Sequence, residues 1–154
     1  MDTIRIQTED FDLAQEYQLL RGLSVAVGAV ATFSGLVREL EHESSIESLS
    51  LQHYPGLTEN LLQDIIDQAN VRWNLIGITV IHRVGRLLPS DQIVFVGVAS
   101  EHRGDGFCAA QFLMDYLKAK ATFWKQVSQD GKQFWLDSKA SDADAAAGWE
   151  SNES

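Results

Sequence analysis

Two apolar segments, Ile76 to Val84 and Ile93 to Ala99, flank the turn sequence Pro89-Ser90-Asp91. The first alternates in part and the second is mostly apolar, so together they predict a hairpin at the heart of a sheet. Helical patterns are at hand to cover it. Gly106 to about Phe123 carries a stripe of Phe107, Ala110, Leu113, Met114, Leu117 and Ala121. Leu61, Ile65, Ile66 and Ala69 recur at helical spacing between Thr58, read as an N-cap, and Trp73. A shorter helix is predicted from Phe11 to Leu20, and further strands at Ile4 to Gln7, Val25 to Phe33, Ser48 to Tyr54 and Gln133 to Leu136. Pro55-Gly56 and Gln129-Asp130-Gly131 read as turns, and Glu39 to Ser45 as a mobile acidic loop. Strands and helices mix without regular βαβ alternation, which predicts an α+β fold with a largely antiparallel sheet packed with helices. At 154 residues the chain suits one domain over 1–139, followed by a flexible acidic tail from Ala140 to Ser154 with no core face.

Charge narrows the function. Twenty-two acidic residues face 12 basic ones, a formal net charge of −10, the wrong balance for a general binder of nucleic-acid backbones. Cys108 is the only cysteine, so an internal disulfide and a cysteine-built zinc cage are excluded. The start, Met1-Asp2-Thr3, has no basic leader, and no run is long and apolar enough to span a membrane, so a cytoplasmic protein is expected.

The common catalytic signatures are missing: no phosphate-binding G-x-x-x-x-G-K, no H-E-x-x-H, no G-x-S-x-G and no G-x-G-x-x-G. With so few cations, their placement carries the information. Lys118 and Lys125 are seven residues apart, two turns of a continuous helix, although Phe123-Trp124 can end that helix first. His102-Arg103 precedes the long helix, where free N–H groups and the helix dipole favour an anion. Arg38 follows Gly35, where a ligand can approach the backbone closely. Each also has a plain reading: Lys118 and Lys125 as solvated helix lysines, Arg38 as a loop cation, His102-Arg103 as a surface cap. His53 and His82 read as satisfied core histidines, and Cys108 as packing.

The strings His53-Tyr54-Pro55-Gly56, Val80-Ile81-His82-Arg83-Val84-Gly85, Ile93-Val94-Phe95-Val96-Gly97-Val98, His102-Arg103, Phe112-Leu113-Met114-Asp115-Tyr116-Leu117-Lys118 and Phe123-Trp124-Lys125 occur in this order. With Phe33-Ser34-Gly35-Leu36-Val37-Arg38 ahead of them, the chain resembles the large, catalytic subunit family of molybdopterin synthase from about Thr32 to Trp135. The resemblance implies an α/β-hammerhead type fold and a homodimer. It also implies a small ubiquitin-like partner at each end of that dimer, giving a heterotetramer. The partner's C-terminal Gly-Gly thiocarboxylate would supply sulfur to cyclic pyranopterin monophosphate, forming the dithiolene of molybdopterin in two transfers. No metal and no bound redox cofactor is implied.

Carried over by position, the essential lysines are Lys118 and Lys125. The substrate contacts fall on Leu36, Val37, Arg38, His102, Arg103, Lys118, Lys125, Gln126 and Val127. Leu36 stands where the family often has a basic residue, and Gln126 and Val127 stand where charged residues are common. The chemistry suits these residue types. Two anions, a cyclic phosphate and a thiocarboxylate, must meet in an acidic protein, so positive side chains are expected to converge around them. Arg103 offers a planar fork for phosphate. Lys118 is assigned to the thiocarboxylate and leaving carboxylate, and Lys125 to orienting the pterin and polarising the attacked group. The sulfur comes from the partner, so Cys108 needs no role. The alternative is a non-catalytic module that binds a ubiquitin-like Gly-Gly tail; an unrelated phosphate- or nucleotide-binding domain is a third reading.

Overall fold

The structure is a computed structural model that describes residues 1–154 apart from 42, 43, 46, 122, 130, 137–139 and 151–154. The elements run β1 (Asp2–Gln7), α1 (Leu13–Arg21), β2 (Ala29–Leu36), β3 (Leu40–Glu41), β4 (Ser44–Ser45), β5 (Ser48–His53) and α2 (Leu57–Arg72). They continue with β6 (Leu75–Arg83), β7 (Gly85–Leu87), β8 (Gln92–Ser100), α3 (Arg103–Lys120), β9 (Phe123–Gln129), β10 (Lys132–Leu136) and α4 (Ala140–Glu150).

Two four-stranded sheets result, ordered β1-β6-β8-β2 and β10-β9-β5-β7, with β3 and β4 as a separate two-stranded ladder. Among the described residues only β1 against β6 is parallel. The predicted mixed, largely antiparallel class is what forms. The centre of the first sheet is the predicted β6–β8 pair, buried on both faces. Side chains alternate between those faces. Ile78, Val80, Val94, Val96 and Val98 meet Leu62, Ile65 and Ile66 of α2 and Phe112 and Leu113 of α3. Ile81, Phe95 and Ala99 meet Phe11 and Leu20 on the other side. Each such side chain contributes about 1.5–3 kcal/mol by leaving water.

The second sheet packs across the Arg83–Gln92 end of the first. Its inner face supplies Leu49, Leu51, Leu87 and Val127, and Val37 from beyond β2 completes this small core.

Several elements depart from the sequence reading. The strand predicted from Val25 begins at Ala29 and runs on to Leu36. Ser24 Oγ accepts from the Ala26 N–H at 3.1 Å and turns the chain there, leaving Val25 in solvent. Thr58 is not the N-cap. Helix α2 starts at Leu57 behind Gly56, whose φ of +87° suits glycine. The Glu59 carboxylate accepts from the Gly56 N–H at 2.5 Å, while Thr58 Oγ1 accepts from the Tyr54 N–H at 3.1 Å.

Helix α3 starts at Arg103, before the predicted Gly106, and ends at Lys120. Lys125 therefore lies on a strand, β9, that the sequence reading did not contain; the alternation from Phe123 to Gln129 pairs with β5 over Ser48–His53. The acidic stretch read as a loop contains the short β3–β4 ladder, and its His42 and Glu43 lie outside the described residues, as does Asp130 of the predicted turn.

The stretch after Lys139, expected to be a tail with no core face, contains helix α4. Ala146 is buried in the main core. The Trp149 ring stands edge-on to Trp73 and Phe112, both at 5.6 Å, and its indole N–H donates to Asp115 Oδ2 at 2.7 Å. Two residues three apart suffice for docking because Trp73 and Phe112 already offer an aromatic groove, and so little is needed that no apolar stripe announces the helix. Residues 151–154 of the expected tail lie outside the described part.

Candidate active site

Helix α3 runs back along the first sheet, antiparallel to β8, and this places its two ends far apart. Its first turn sits over Ser100 and Ala31: a Cβ on Gly106 would lie 2.9 Å from Ser100 Oγ and 3.5 Å from the Ala31 Cβ. Its last turn reaches the other edge of the sheet, where β6 ends at His82 and Arg83.

Both predicted lysines lie toward that far edge. Lys118 is exposed in the last turn of α3, and Lys125 is half-buried on the inner face of the second sheet, in register with Leu51. Both charges act on the imidazole of His82, which is only 5% exposed. Burial pushes His82 down to about 3, a shift opposed by its bond to the Arg83 carbonyl and reinforced by Lys118, Lys125 and His53. That bond, Nδ1 to Arg83 O at 2.8 Å, requires the proton on Nδ1, because a carbonyl can only accept. His82 is thus a neutral, satisfied core histidine, as its sequence context predicts.

The segment carrying Arg38 joins the same edge. Leu36 pairs with Gln92 at the start of β8. The Val37 N–H donates to the Asp91 carbonyl at 2.9 Å, and the Val37 carbonyl accepts from the Ser90 N–H at 2.8 Å. Ser90 adopts φ +76° to make this turn, and Asp91 Oδ2 accepts from the Leu88 N–H at 2.8 Å. Arg38 projects from this clamp and is exposed, as is Leu36. Val37 and Val127 share the small second core, 4% and 0% exposed. That contact brings the Arg38 segment to the Lys125 strand. It also corrects the reading of both valines as substrate contacts: their side chains are packing. Gln126, one residue along β9 from Lys125, faces outward beside Ser50, Arg86 and Ser128. Its side chain cannot share a pocket with Lys125 in one chain.

His102 and Arg103 do not join them. Both are exposed at the start of α3, and His102 Nε2 lies 3.9 Å from Glu101. Fifteen residues of helix separate Arg103 from Lys118, about 22 Å along the axis at 1.5 Å per residue. The expectation that all these cations converge within one chain is therefore wrong; spacing along an unbroken helix forbids it. Lys120 belongs to neither group, since its ammonium lies 2.7 Å from Glu150 and 4.6 Å from the centroid of the Tyr116 ring. Cys108 is exposed in the first half of α3.

A cleft of about 480 Å³ opens between α1 and the β1–β6 edge, lined by Arg5, Phe11, Glu16 and Thr79 among others, and none of the sequence-predicted site residues lines it. Among the described residues, no group of three or more His, Cys, Asp or Glu side chains is arranged to hold a metal ion. No helix among them is long and apolar enough to cross a membrane.

Comparison with known proteins adds a family. Residues 6–120 match the model of the MoaE protein family, a span that includes Lys118 and stops short of Lys125. The chain is 49% identical over 149 residues to the molybdopterin synthase catalytic subunit of Ralstonia nicotianae, covering 97% of this chain and 85% of that protein. It is 48% identical to the corresponding subunit of Vibrio cholerae, covering 96% of this chain and 97% of that one. Its fold is similar to the solved molybdopterin biosynthesis MoaE protein from Burkholderia ambifaria, with a TM-score of 0.84 and 46% identity, covering 97% of this chain and 99% of that chain.

Proposed function

The chain belongs to the MoaE family of molybdopterin synthase catalytic subunits, and on that premise we propose that it transfers sulfur to a pterin in molybdenum cofactor biosynthesis. The donor is the C-terminal thiocarboxylate of a small ubiquitin-like partner. The acceptor is cyclic pyranopterin monophosphate, and the product is the dithiolene of molybdopterin. The observation that carries this reading is that Lys118, from a helix, and Lys125, from a strand, both lie near enough to act on one buried neutral imidazole.

Lys118 stands at the thiocarboxylate, where its ammonium offsets the charge of the donor and of the carboxylate left when sulfur departs. Lys125 orients the pterin and polarises the group that sulfur attacks. Arg38, presented by the clamp on Val37 with Leu36 beside it, takes the phosphate end of the substrate. His102 and Arg103, about 22 Å away along α3, reach this site only from a second copy of the chain. A homodimer answers that need, and a partner on each copy completes a heterotetramer. The reaction belongs in the cytoplasm. Gln126 and Val127 hold β9, and with it Lys125, in the second sheet between β5 and β10.

The test is reconstitution of the chain with thiocarboxylated partner and the cyclic pterin, followed by assay for dithiolene product. Product that is lost in Lys118→Ala supports the reading; product unchanged by that substitution removes the role of Lys118. Tight partner binding with no product under any condition favours the module that only binds a Gly-Gly tail.

A further inference from the structure

Three strands and one helix end meet around a pair of flat rings. His82, near the end of β6, and Phe123, at the start of β9, stack face to face, 3.7 Å between centroids and 14° between planes. His53 of β5, opposite Phe123 in the strand register, places a further ring 6.5 Å from it. Glu59 of α2 pairs with His53 at 3.5 Å. The His82 ring cannot rotate freely, because its Nδ1–H is held by the Arg83 carbonyl at 2.8 Å and its other surroundings are closed to water.

Phe123 lies two residues before Lys125 on the same strand. Side chains two apart leave the same face of a strand, about 6.5–7 Å from one another. Whatever fixes Phe123 therefore fixes the root of Lys125. The ring that fixes it belongs to β6, against which the last turn of α3 and its Lys118 are also set.

We propose that His82 is a positioning residue for the lysine pair: stacked on Phe123 and tied to the Arg83 carbonyl, it sets the start of β9, and so Lys125, against the turn of α3 that carries Lys118. The assignment rests on the sulfur-transfer reading for what the lysines do, and on the ring stack, the Arg83 hydrogen bond and the strand spacing for how Lys125 is held. The charged and titratable groups facing the ring are Lys118 from α3, Lys125 from β9 and His53 from β5. A carboxylate at this position would pair with a lysine and withdraw it from an anionic substrate. A cation would add a further repelling charge. A neutral stacked ring packs beside the lysines and adds no charge of its own.

The test uses the full chain assembled with its thiocarboxylated partner, in the variants His82→Leu, His82→Phe, Phe123→Leu and the double variant His82→Leu/Phe123→Leu. A misplacement of about 1 Å at reacting groups costs up to about 100-fold. The expected result is a fall in kcat of about tenfold or more in each Leu variant, with KM for the cyclic pterin and partner affinity within about twofold. The double variant falls no further than the worse single one, because both remove one contact. His82→Phe keeps the stack and recovers most of the rate, with the limbs of the pH–rate profile unmoved.

Wild-type kcat in His82→Leu overturns the proposal, and so does a lost pH limb in His82→Phe, which would make the imidazole a proton carrier. If His82→Leu does not fold, His82→Phe and Phe123→Leu decide in the same way. A wild-type chain that forms no product overturns the sulfur-transfer reading instead. The positioning is then read without turnover, from the yield of a short bis-amine-reactive cross-link between Lys118 and Lys125 located by mass spectrometry. That cross-link is lost in His82→Leu if the ring sets their distance, and an unchanged yield overturns the assignment.

Discussion

The two ends of α3 carry the same kind of side chain in opposite surroundings. At its C-terminal end, Lys118 faces a second sheet, a buried imidazole and a strand bearing another lysine. At its N-terminal end, His102 and Arg103 stand in water beside Glu101, the helix has no side-chain cap, and Phe107 one turn on is 66% exposed. The first end has been built by tertiary packing; the second leaves polar side chains and an aromatic ring in water. Similar side chains thus sit in two different environments, and the packing around them makes the difference.

The largest effect is expected at the C-terminal end of α3. Lys118→Ala should lower product formation by about 100-fold or more while leaving the thermal melt unchanged, since the side chain is exposed. Loss of rate with an equal loss of fold would remove the contrast between the ends.

The relation between them is sharpened by mixing. Lys118→Ala and Arg103→Ala homodimers should each be nearly inactive, but a randomly reassorted mixture should recover about a quarter of wild-type activity, because half the dimers then hold one intact site. No recovery would break the two-copy site.

Between the ends, α4 holds the middle of α3 through Trp149 and Asp115. Trp149→Ala should cost about 3–5 kcal/mol in urea unfolding.

A pH effect follows from His82, which is pushed down to about 3 when folded. Below its ordinary value near 6.5 the unfolded chain takes up a proton that the folded chain refuses, so stability falls as pH drops from about 6.5 toward 3, by about 1 kcal/mol per unit. Urea midpoints measured from pH 7 to pH 4.5 should show this slope in the wild type and a flatter one in His82→Phe. The smallest effect is expected at the other end of α3: Cys108→Ser should change neither rate nor stability by more than about 0.5 kcal/mol.

Much of this was legible because local pattern and final burial coincide. Ser48–His53 alternates and becomes a strand of the second sheet, and the apolar runs around Val80 and Val96 become the buried centre of the first. Strand β9 was hidden because Phe123-Trp124-Lys125 continues a helical pattern just long enough to be taken for its end. Helix α4 was hidden because, among the described residues, only Ala146 and Trp149 give it an apolar contact with the core. For the site, the residue types and the family resemblance picked out Lys118 and Lys125 but not His82, whose place depends on Phe123, forty-one residues away. The division of the cations was readable in principle: the rise of a helix applied to Arg103 and Lys118 already separates them.

The pairing of β5 with β9 joins residues as far apart as Ser48 and Ser128. A fragment ending at Ala121 would keep the whole of α3 and its Lys118, yet β5 would be left with a bare hydrogen-bonding edge, the kind that recruits neighbouring chains into aggregates. The paired amines are thus a property of the intact polypeptide and of no shorter piece, and a truncation in this region would forfeit solubility together with chemistry.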